Sequence, residues 1–298
     1  PRLVPRSMAA GPPPVVRPAS PTGADIAASR ARAMFFSGGV DSFHGLLCCG
    51  ESIDLLVFVE GFDVTLGDTP RVASALAGIR DVAAEVGVRL GVVRTNLREH
   101  PLVRDTKWER VNGGALAAVA HLLEGSVHEM LIASSIAVQW PMAWGSHWRT
   151  DPLYSSSRLR IREIGHEVSR IDKVRAIAPL SLPQKHLRVC WENRTPTGNC
   201  SRCGKCVITR LMLAESGVLD RYPMFDGAAT LARDLDAIRN DSHRHSLTDV
   251  VERGWLDPEL RRAAVALLAR IRHAESFPVR TRRALLRMVL EWSGRGFR

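Results

Sequence analysis

Two stretches of the chain combine residue types and spacings that are suited to chemistry, and the first surrounds a pair of glycines. Its residues are Ser37, Gly38, Gly39, Val40, Asp41 and Ser42, between apolar runs on both sides. Adjacent glycines let backbone N–H groups approach an anion closely, and a helix N-terminus favours negative charge. The stretch therefore predicts a phosphate-binding turn between a strand and a helix. An ordinary glycine turn, with Asp41 or Ser42 as the helix cap, is the alternative.

The second stretch contains four cysteines in the pattern C-x9-C-x2-C-x2-C, and these are Cys190, Cys200, Cys203 and Cys206. Four thiolates close a tetrahedral Zn²⁺ shell and leave no position for water, so the pattern predicts a structural zinc site. The last three cysteines also suit an iron–sulfur cluster, which stays open as the alternative. The other two, Cys48 and Cys49, lie in an apolar run and are expected to be buried and inert.

Short apolar runs alternate with helical patterns from residue 33 onward, and these elements must position both stretches. The predicted strands are 33–36, 55–59, 90–93 and 130–133, and the predicted helices are 41–49, about 70–87 and 110–124. Strands separated by helices of about 10–15 residues are typical of βαβ units, so we expect an α/β fold with a doubly wound parallel sheet. Ligands bind such sheets at the carboxyl ends of the strands, where residues 37–42 would lie.

The segment 134–158 interrupts this rhythm with a long irregular stretch that contains three tryptophans. Long irregular segments inside a compact domain are usually functional. Because the segment leaves the carboxyl edge of the sheet, we expect it to cover the crevice and to contact a small-molecule substrate through His147, Arg149 and Asp151. A tryptophan-rich plug or an oligomer contact is the alternative.

The composition indicates an ordinary globular chain, with 298 residues, 45% of them hydrophobic and 24% charged. That length accommodates one large and one small domain. No apolar run approaches the roughly 20 residues of a membrane span, so we expect a cytoplasmic protein without membrane contact. Cysteines in such a protein indicate metal binding or catalysis rather than disulfides. The predicted segments are a disordered leader at 1–32 (in part an expression-tag remnant), an α/β domain at 33–189, a zinc segment at 190–220 and a helical region at 221–298.

The net charge of +10 is concentrated at the two ends of the chain. Residues 1–32 contain five Arg and one Asp, and residues 221–298 contain fifteen Arg and ten acidic residues. A basic end can contact RNA or an acidic ligand, but a solvated basic surface is the favoured interpretation. The last region also has four amphipathic patterns, which predict a small helical subdomain or the dimerisation unit of a homodimer. They span 228–239, 247–253, 258–271 and 281–292.

Taken together, the two stretches resemble a known group of enzymes. Ser-Gly-Gly-Val-Asp-Ser is similar to the pyrophosphate loop of the PP-loop ATP pyrophosphatases, whose fold is of the HUP type, and the Gly-Lys-Ser/Thr of a kinase P-loop is missing. With the later cysteine pattern, residues 33–215 most resemble the 7-cyano-7-deazaguanine synthases, including Trp191 and Arg210. The substrate-recognition segment of those synthases has no counterpart here, and the tryptophan-rich segment stands in its place.

The resemblance implies a chemistry and a set of cofactors. The family cleaves ATP between its α and β phosphates, adenylates a substrate oxygen and lets ammonia or an amine displace AMP. Residues 33–189 are then an ATP-binding domain in which residues 37–42 hold the pyrophosphate with Mg²⁺. By the same resemblance Phe58 and Val59 lie at the adenine, and Ser37, Asp41 and Lys173 are the catalytic residues. For Lys173, an ordinary surface position on a helix is the alternative.

Two other functions stay open. A PP-loop sulfur transferase that acts on tRNA or on a small heterocycle shares the adenylation step but needs a persulfide cysteine. Cys48 and Cys49 are the only thiols outside the four-cysteine pattern, so persulfide labelling at these residues would favour this function. A non-catalytic nucleotide-binding or zinc-scaffold protein is the third possibility, and ATP turnover separates it from the enzymes.

Overall fold

The computed structural model describes residues 30–140, 142–238 and 244–275, together with the strand Val16–Pro18. The chain divides into two compact units, Pro1–Asn199 and Cys200–Arg298. The division falls inside the segment that carries the four cysteines. Among the described residues, no helix combines the length and the apolar character that a membrane crossing requires.

The first unit is built on a six-stranded sheet with the order β1-β4-β3-β2-β5-β6. Strands β2 to β6 are parallel, and β1 pairs with β4 in the antiparallel direction. The strands are β1 Val16–Pro18, β2 Ala31–Phe35, β3 Leu55–Glu60, β4 Arg89–Thr95, β5 Val127–Ala133 and β6 Arg160–Ile164. The predicted α/β fold with a parallel sheet is confirmed. The chain moves outward from β2 to β4 and then returns to the other side of β2, so the strand order reverses between β2 and β5.

Two strands lie outside the sequence-based prediction. β1 falls within the segment that was expected to be a disordered leader, so that expectation is wrong at Val16–Pro18, and β2 begins two residues before the predicted strand. β6 lies just after the irregular segment 134–158, at a position where no strand was predicted. The rest of the leader before residue 30 lies outside the described residues.

In the described part of the first unit, six helices connect these strands or follow them. They are α1 Val40–Cys48, α2 Thr69–Val86, α3 Pro101–Arg104, α4 Trp108–Leu122, α5 Arg170–Ile177 and α6 Ser181–His186. Local capping sets several of their ends, as the sequence indicates. Asp68 caps α2 by accepting a hydrogen bond from the Arg71 backbone N–H, and Gly87 ends this helix in the left-handed conformation. Ser169 caps α5 in the same way through the backbone N–H of Asp172.

The core of the first unit lies between the sheet and α4. Val57 of β3, Val93 of β4 and Ile132 of β5 belong to one buried cluster with Val119 of α4. The central strands are apolar along nearly their whole length because both faces of a parallel sheet are covered. This core fixes the carboxyl edge of the sheet, from which the loops of the candidate site emerge.

The second unit is helical. It contains α7 Gly204–Glu215, α8 Leu231–Ala237, α9 Arg244–Arg253 and α10 Pro258–Glu275. Arg210 of α7 is fully buried and pairs with Asp234 of α8 at 2.7 Å. Its guanidinium also donates to the backbone carbonyls of Ser201, Asp226 and Gly227, so it holds the turn segments against the helices. The helix predicted at 281–292 lies outside the described residues.

Candidate functional site

The glycine loop, which we define as residues 37–42, connects β2 to α1. Gly38 has a φ of +78°, in the left-handed region that favours glycine. Gly39 is the N-cap of α1 and supplies no side-chain hydrogen bond. The alternative in which Asp41 or Ser42 is the helix cap is therefore wrong. A helix N-terminus without a capping side chain leaves its first N–H groups to other acceptors.

Two hydroxyl groups flank this N-terminus. The backbone N–H of Ser37 donates to Ser42 Oγ at 3.3 Å, and the two serine Oγ atoms lie 3.4 Å apart. The hydroxyls of Ser37 and Ser42 therefore lie on the same side of the turn. Backbone donors, two hydroxyls and a left-handed glycine form an arrangement that suits a phosphate group.

Asp41 in the first turn of α1 connects the glycine loop to α5. Its carboxylate accepts a hydrogen bond from Arg170 Nη2 at 2.7 Å and lies 3.5 Å from Lys173 Nζ. Lys173 is only 2% exposed, and its Nζ also donates to the backbone carbonyl of Ser134 at 2.6 Å. Burial lowers the pKa of Lys173, while the charge of Asp41 acts in the opposite direction.

This contact brings together Asp41 and Lys173, both of which the resemblance assigned to the catalytic residues. Ser134 directly follows β5, whereas Asp41 follows β2, so Lys173 lies where the strand order reverses. Open α/β sheets bind their ligands at such a switch point. Lys173 is buried, so the alternative of an ordinary surface lysine is wrong. Its contact with a phosphate stays a prediction.

Glu163 on β6 is a further residue of this region that the sequence analysis missed. It is 4% exposed, and its Oε2 has no hydrogen-bond partner. Burial, and after it the nearby charge of Asp151, raise the pKa of Glu163 to about 8. Ser134 and Lys173 act in the opposite direction. Glu163 is therefore a mostly protonated carboxyl group at neutral pH, beside the Lys173–Asp41 pair.

The tryptophan-rich segment packs against α4. The backbone N–H of Gly145 donates to the carbonyl of Glu109 at 2.6 Å. A Cβ on Gly113 would lie 2.0 Å from the carbonyl oxygen of Gly145, so only glycine permits this close approach. Asp151 is fully buried and accepts hydrogen bonds from Ser146 Oγ at 2.6 Å and from the backbone N–H of His147 at 3.0 Å. Its carboxylate is thus engaged in holding the segment's own turn.

The other two candidate substrate residues belong to an aromatic stack. The Arg149 guanidinium lies 4.6 Å from the centre of the Trp148 ring, and Trp148 stacks on His166 at 5.3 Å with nearly parallel planes. His147 stacks on Trp148 at 5.6 Å. None of the contacts found among the described residues joins His147 or Arg149 to the glycine loop. Their contact with a substrate stays a prediction.

Phe58 and Val59, the residues predicted at the adenine, lie on β3, and their backbone groups point to opposite sides of the strand. The backbone N–H of Phe36 donates to the carbonyl of Val57, and Phe35 and Val57 are the last paired residues of β2 and β3. Backbone groups alternate sides along a strand, so Val59 faces the same side as Val57, beyond the end of β2. Phe58 faces β4. The geometry therefore favours Val59 over Phe58 as a backbone contact beside the glycine loop.

The four predicted zinc ligands form a buried cluster, which we call the cysteine cluster. The sulfur atoms of Cys190, Cys200, Cys203 and Cys206 all lie within 4.8 Å of one another. Four sulfurs around one zinc are separated by ~3.8 Å, given a Zn–S distance of ~2.3 Å. The backbone N–H of Cys203 points at Cys200 Sγ, and that of Cys206 at Cys203 Sγ. Such donors stabilise thiolates, so the donor set fits a metal ion.

Cys48 and Cys49 differ from the expectation of buried, inert packing. Cys48 is exposed, so the prediction is wrong for this residue, and Cys49 is partly buried. Cys49 Sγ lies 3.6 Å from His44 Nδ1. Burial raises the pKa of both thiols and lowers that of His44. Neither thiol is therefore activated as a thiolate.

Comparison of the chain with models of protein families, with curated proteins and with solved structures finds no match. The family that the two motifs resemble is therefore a prediction from residues alone. The function has to be argued from the geometry of the glycine loop, the Lys173–Asp41 pair and the cysteine cluster.

Proposed function

We propose that the chain is an ATP-dependent synthetase of the PP-loop type, nearest to the 7-cyano-7-deazaguanine synthases. It adenylates a carboxylate or carbonyl oxygen of a small-molecule substrate and releases pyrophosphate, and ammonia or an amine then displaces AMP. One observation carries this proposal: the glycine loop presents a left-handed Gly38, an uncapped helix N-terminus and two hydroxyls at the point where the strand order reverses.

The residues around the loop have separate roles in pyrophosphate release. The substrate oxygen attacks the α-phosphorus, the bond from this atom to the bridging oxygen breaks, and pyrophosphate leaves with the electron pair. Backbone N–H groups and the hydroxyls of Ser37 and Ser42 hold the β and γ phosphates, and Mg²⁺ neutralises part of their charge. Lys173 supplies a fixed positive charge, and Asp41 orients it. Positioning and electrostatic stabilisation dominate in such transfers.

Nitrogen rather than sulfur is the atom transferred in this proposal. A sulfur transferase needs a thiolate that can carry a persulfide, but burial raises the pKa of both Cys48 and Cys49. The cysteine cluster has no spare ligand, and we assign it a structural Zn²⁺. A cytoplasmic location is part of the proposal.

The test follows the fate of ATP labelled at the α-phosphate, with a panel of carboxylic acids as acceptors and hydroxylamine as the amine. We expect labelled AMP, pyrophosphate and a hydroxamate to form together. ADP and phosphate as the primary products would contradict adenylation.

A matched pair of glycine variants ties that activity to the loop. Gly38 and Gly87 both have a φ of +78°, and Gly87 ends α2 away from the loop. An alanine at either position pays the same left-handed strain of roughly 1 kcal/mol. Only Gly38→Ala should also weaken ATP binding, measured by calorimetry. Equal effects of the two variants would remove the glycine loop from the ATP site.

A further inference from the structure

Three buried polar atoms without hydrogen-bond partners lie in segments that contact the glycine loop or one another. They are Arg71 Nη1, Arg188 Nη2 and Asn193 Oδ1. Buried polar groups in folded proteins are nearly always hydrogen-bonded, so each exception needs a physical explanation. All three residues belong to the first unit, and none of them is used in the proposed adenylation.

Arg71 is held in one orientation with part of its guanidinium free. It lies in the first turn of α2 and is 6% exposed. Its Nε donates to Asp68 Oδ2 at 2.6 Å, and its Nη2 donates to the backbone carbonyl of Asn193 at 3.2 Å. These two bonds fix the plane of the guanidinium. The direction of the unpaired Nη1 donors is therefore set by the fold before any ligand binds.

The backbone of Arg188 contacts the glycine loop directly. Its backbone N–H donates to the carbonyl of Gly38 at 2.8 Å, and its Cβ lies 3.6 Å from where a Cβ on Gly38 would stand. Among the ion pairs of the described residues, none includes Arg188. It lies within electrostatic range of Asp63, whose side chain is exposed, and also of Cys190, Arg71 and Asp68.

Both guanidinium groups of this cluster keep an unpaired nitrogen although carboxylates lie in electrostatic range. Asp68 is already bonded to Arg71, and neither Asp63 nor Asp68 forms an ion pair with Arg188 in the described part of the chain. A guanidinium presents paired N–H donors that match the oxygens of a phosphate group, and two such cations match its double charge. We propose that Arg71 and Arg188 form a binding site for a phosphate group next to the glycine loop, whereas Asn193 only holds Arg71 through its backbone carbonyl. This site goes beyond the proposed function and does not require that ATP be adenylated.

The phosphate group has two potential sources, namely the nucleotide itself or a second, phosphorylated ligand. Competition separates the two sources. If saturating ATP excludes inorganic phosphate, the site holds phosphates of the nucleotide. If phosphate still binds with ATP present, the site belongs to the second ligand. Either result supports a phosphate site at these arginines.

The decisive experiment titrates the full chain with inorganic phosphate by calorimetry. Hydrogen bonds to charged groups contribute enough that Arg188→Met should weaken phosphate binding by at least about tenfold. Arg188→Lys keeps the charge but loses the paired donors, so its phosphate affinity should lie between that of the unmodified chain and that of Arg188→Met. Arg80→Met is the matched control, since Arg80 lies exposed on α2, and its binding should equal that of the unmodified chain.

Thermal stability distinguishes a binding role from a structural one. The Arg188 guanidinium takes part in none of the ion pairs of the described residues, so unliganded Arg188→Met should melt at or above the temperature of the unmodified chain. It should also lose the rise in Tm that phosphate causes in the unmodified chain. Absence of phosphate binding to the unmodified chain, or unchanged binding in Arg188→Met, would overturn the proposal. Loss of zinc from this variant would overturn it as well, because Arg188 would then serve the cysteine cluster.

Discussion

At the level of single residues, the sequence predicts the position of a side chain well when its partners are close to it in the chain. The glycine loop and the four cysteines are short motifs, and the structure places each of them as a compact group. Asp151 differs, because its carboxylate proves to be engaged within its own turn. Glu163 was missed because its environment comes from residues distant in sequence, which spacing along the chain cannot show.

Glu163 should make stability depend on pH. Its pKa is raised from 4.5 to about 8 in the folded chain, so folding favours the protonated form. The stabilisation from this proton is fully present below pH 4.5 and is lost as pH rises towards about 8. Glu163→Gln mimics the protonated form, so it should match the unmodified chain near pH 5 and exceed it near pH 9, by on the order of a few kcal/mol.

Melting curves from pH 5 to pH 9 measure this difference. Asp41, Asp151 and Lys173 face Glu163, and they are unchanged in the variant. Glu85→Gln, on the exposed side of α2, is the control and should give a constant difference across the range. A Glu163→Gln curve that runs parallel to that of the unmodified chain would show that Glu163 is ionised throughout.

Lys173 should matter to the reaction rather than to the fold alone. Lys173→Met removes the buried positive charge beside Asp41, and loss of one electrostatic contact to a leaving group lowers turnover by about 10²-fold. Lys185→Met on α6 removes an exposed lysine and should leave turnover unchanged. The rate of AMP release at saturating ATP is the measurement. Normal turnover in Lys173→Met would remove this residue from the catalytic set.

At the level of elements, apolar runs predict buried strands better than edge strands. β3 and β5 are nearly continuous in apolar residues, and both were predicted. β6 has three charged and two apolar residues in its five positions at the sheet edge, so no apolar run marks it. Missing β6 also concealed Glu163. β1 is three residues long and depends on pairing with β4, which no local pattern reveals.

The start of α7 depends on the cysteine cluster. Cys203 is its N-cap, and the Cys203 sulfur accepts a hydrogen bond from the backbone N–H of Cys206. A bound zinc contributes folding free energy because the unfolded chain has no preformed site. Cys203→Ser should therefore lower zinc content and Tm together.

Elemental analysis beside a melting curve tests this expectation. Cys48→Ser is the matched control, since Cys48 is exposed and lies outside the cysteine cluster, and both quantities should stay at the values of the unmodified chain. If the analysis finds iron and the protein shows a visible charge-transfer band, the site holds an iron–sulfur cluster instead of zinc. A metal-free Cys203→Ser that is fully stable and active would show that the site has no structural role.

At the level of the whole molecule, the parallel sheet followed from the alternation of strand and helix, whereas the strand order was not predicted. Five parallel strands need crossover connections, and the helical patterns between the apolar runs supply them. The division at residue 199 was not evident in the sequence, because no change of composition marks it. Charge was evident at once, and most of the +10 lies in residues 1–32 and 221–298.

This charge distribution leads to the last prediction, on RNA. A basic surface without a shaped site binds nucleic acid weakly, and its affinity falls steeply with salt because counterions are released. We expect tRNA and an unstructured RNA of equal length to bind alike in 50 mM salt and hardly at all in 200 mM salt. Arg261 and Arg262 lie exposed on α10, and replacing both with Gln should reduce the slope of log affinity against log salt by about 2. Fluorescence anisotropy with both RNAs is the measurement. Tight binding that selects tRNA and persists in 200 mM salt would contradict a small-molecule acceptor, and it would favour sulfur transfer to tRNA.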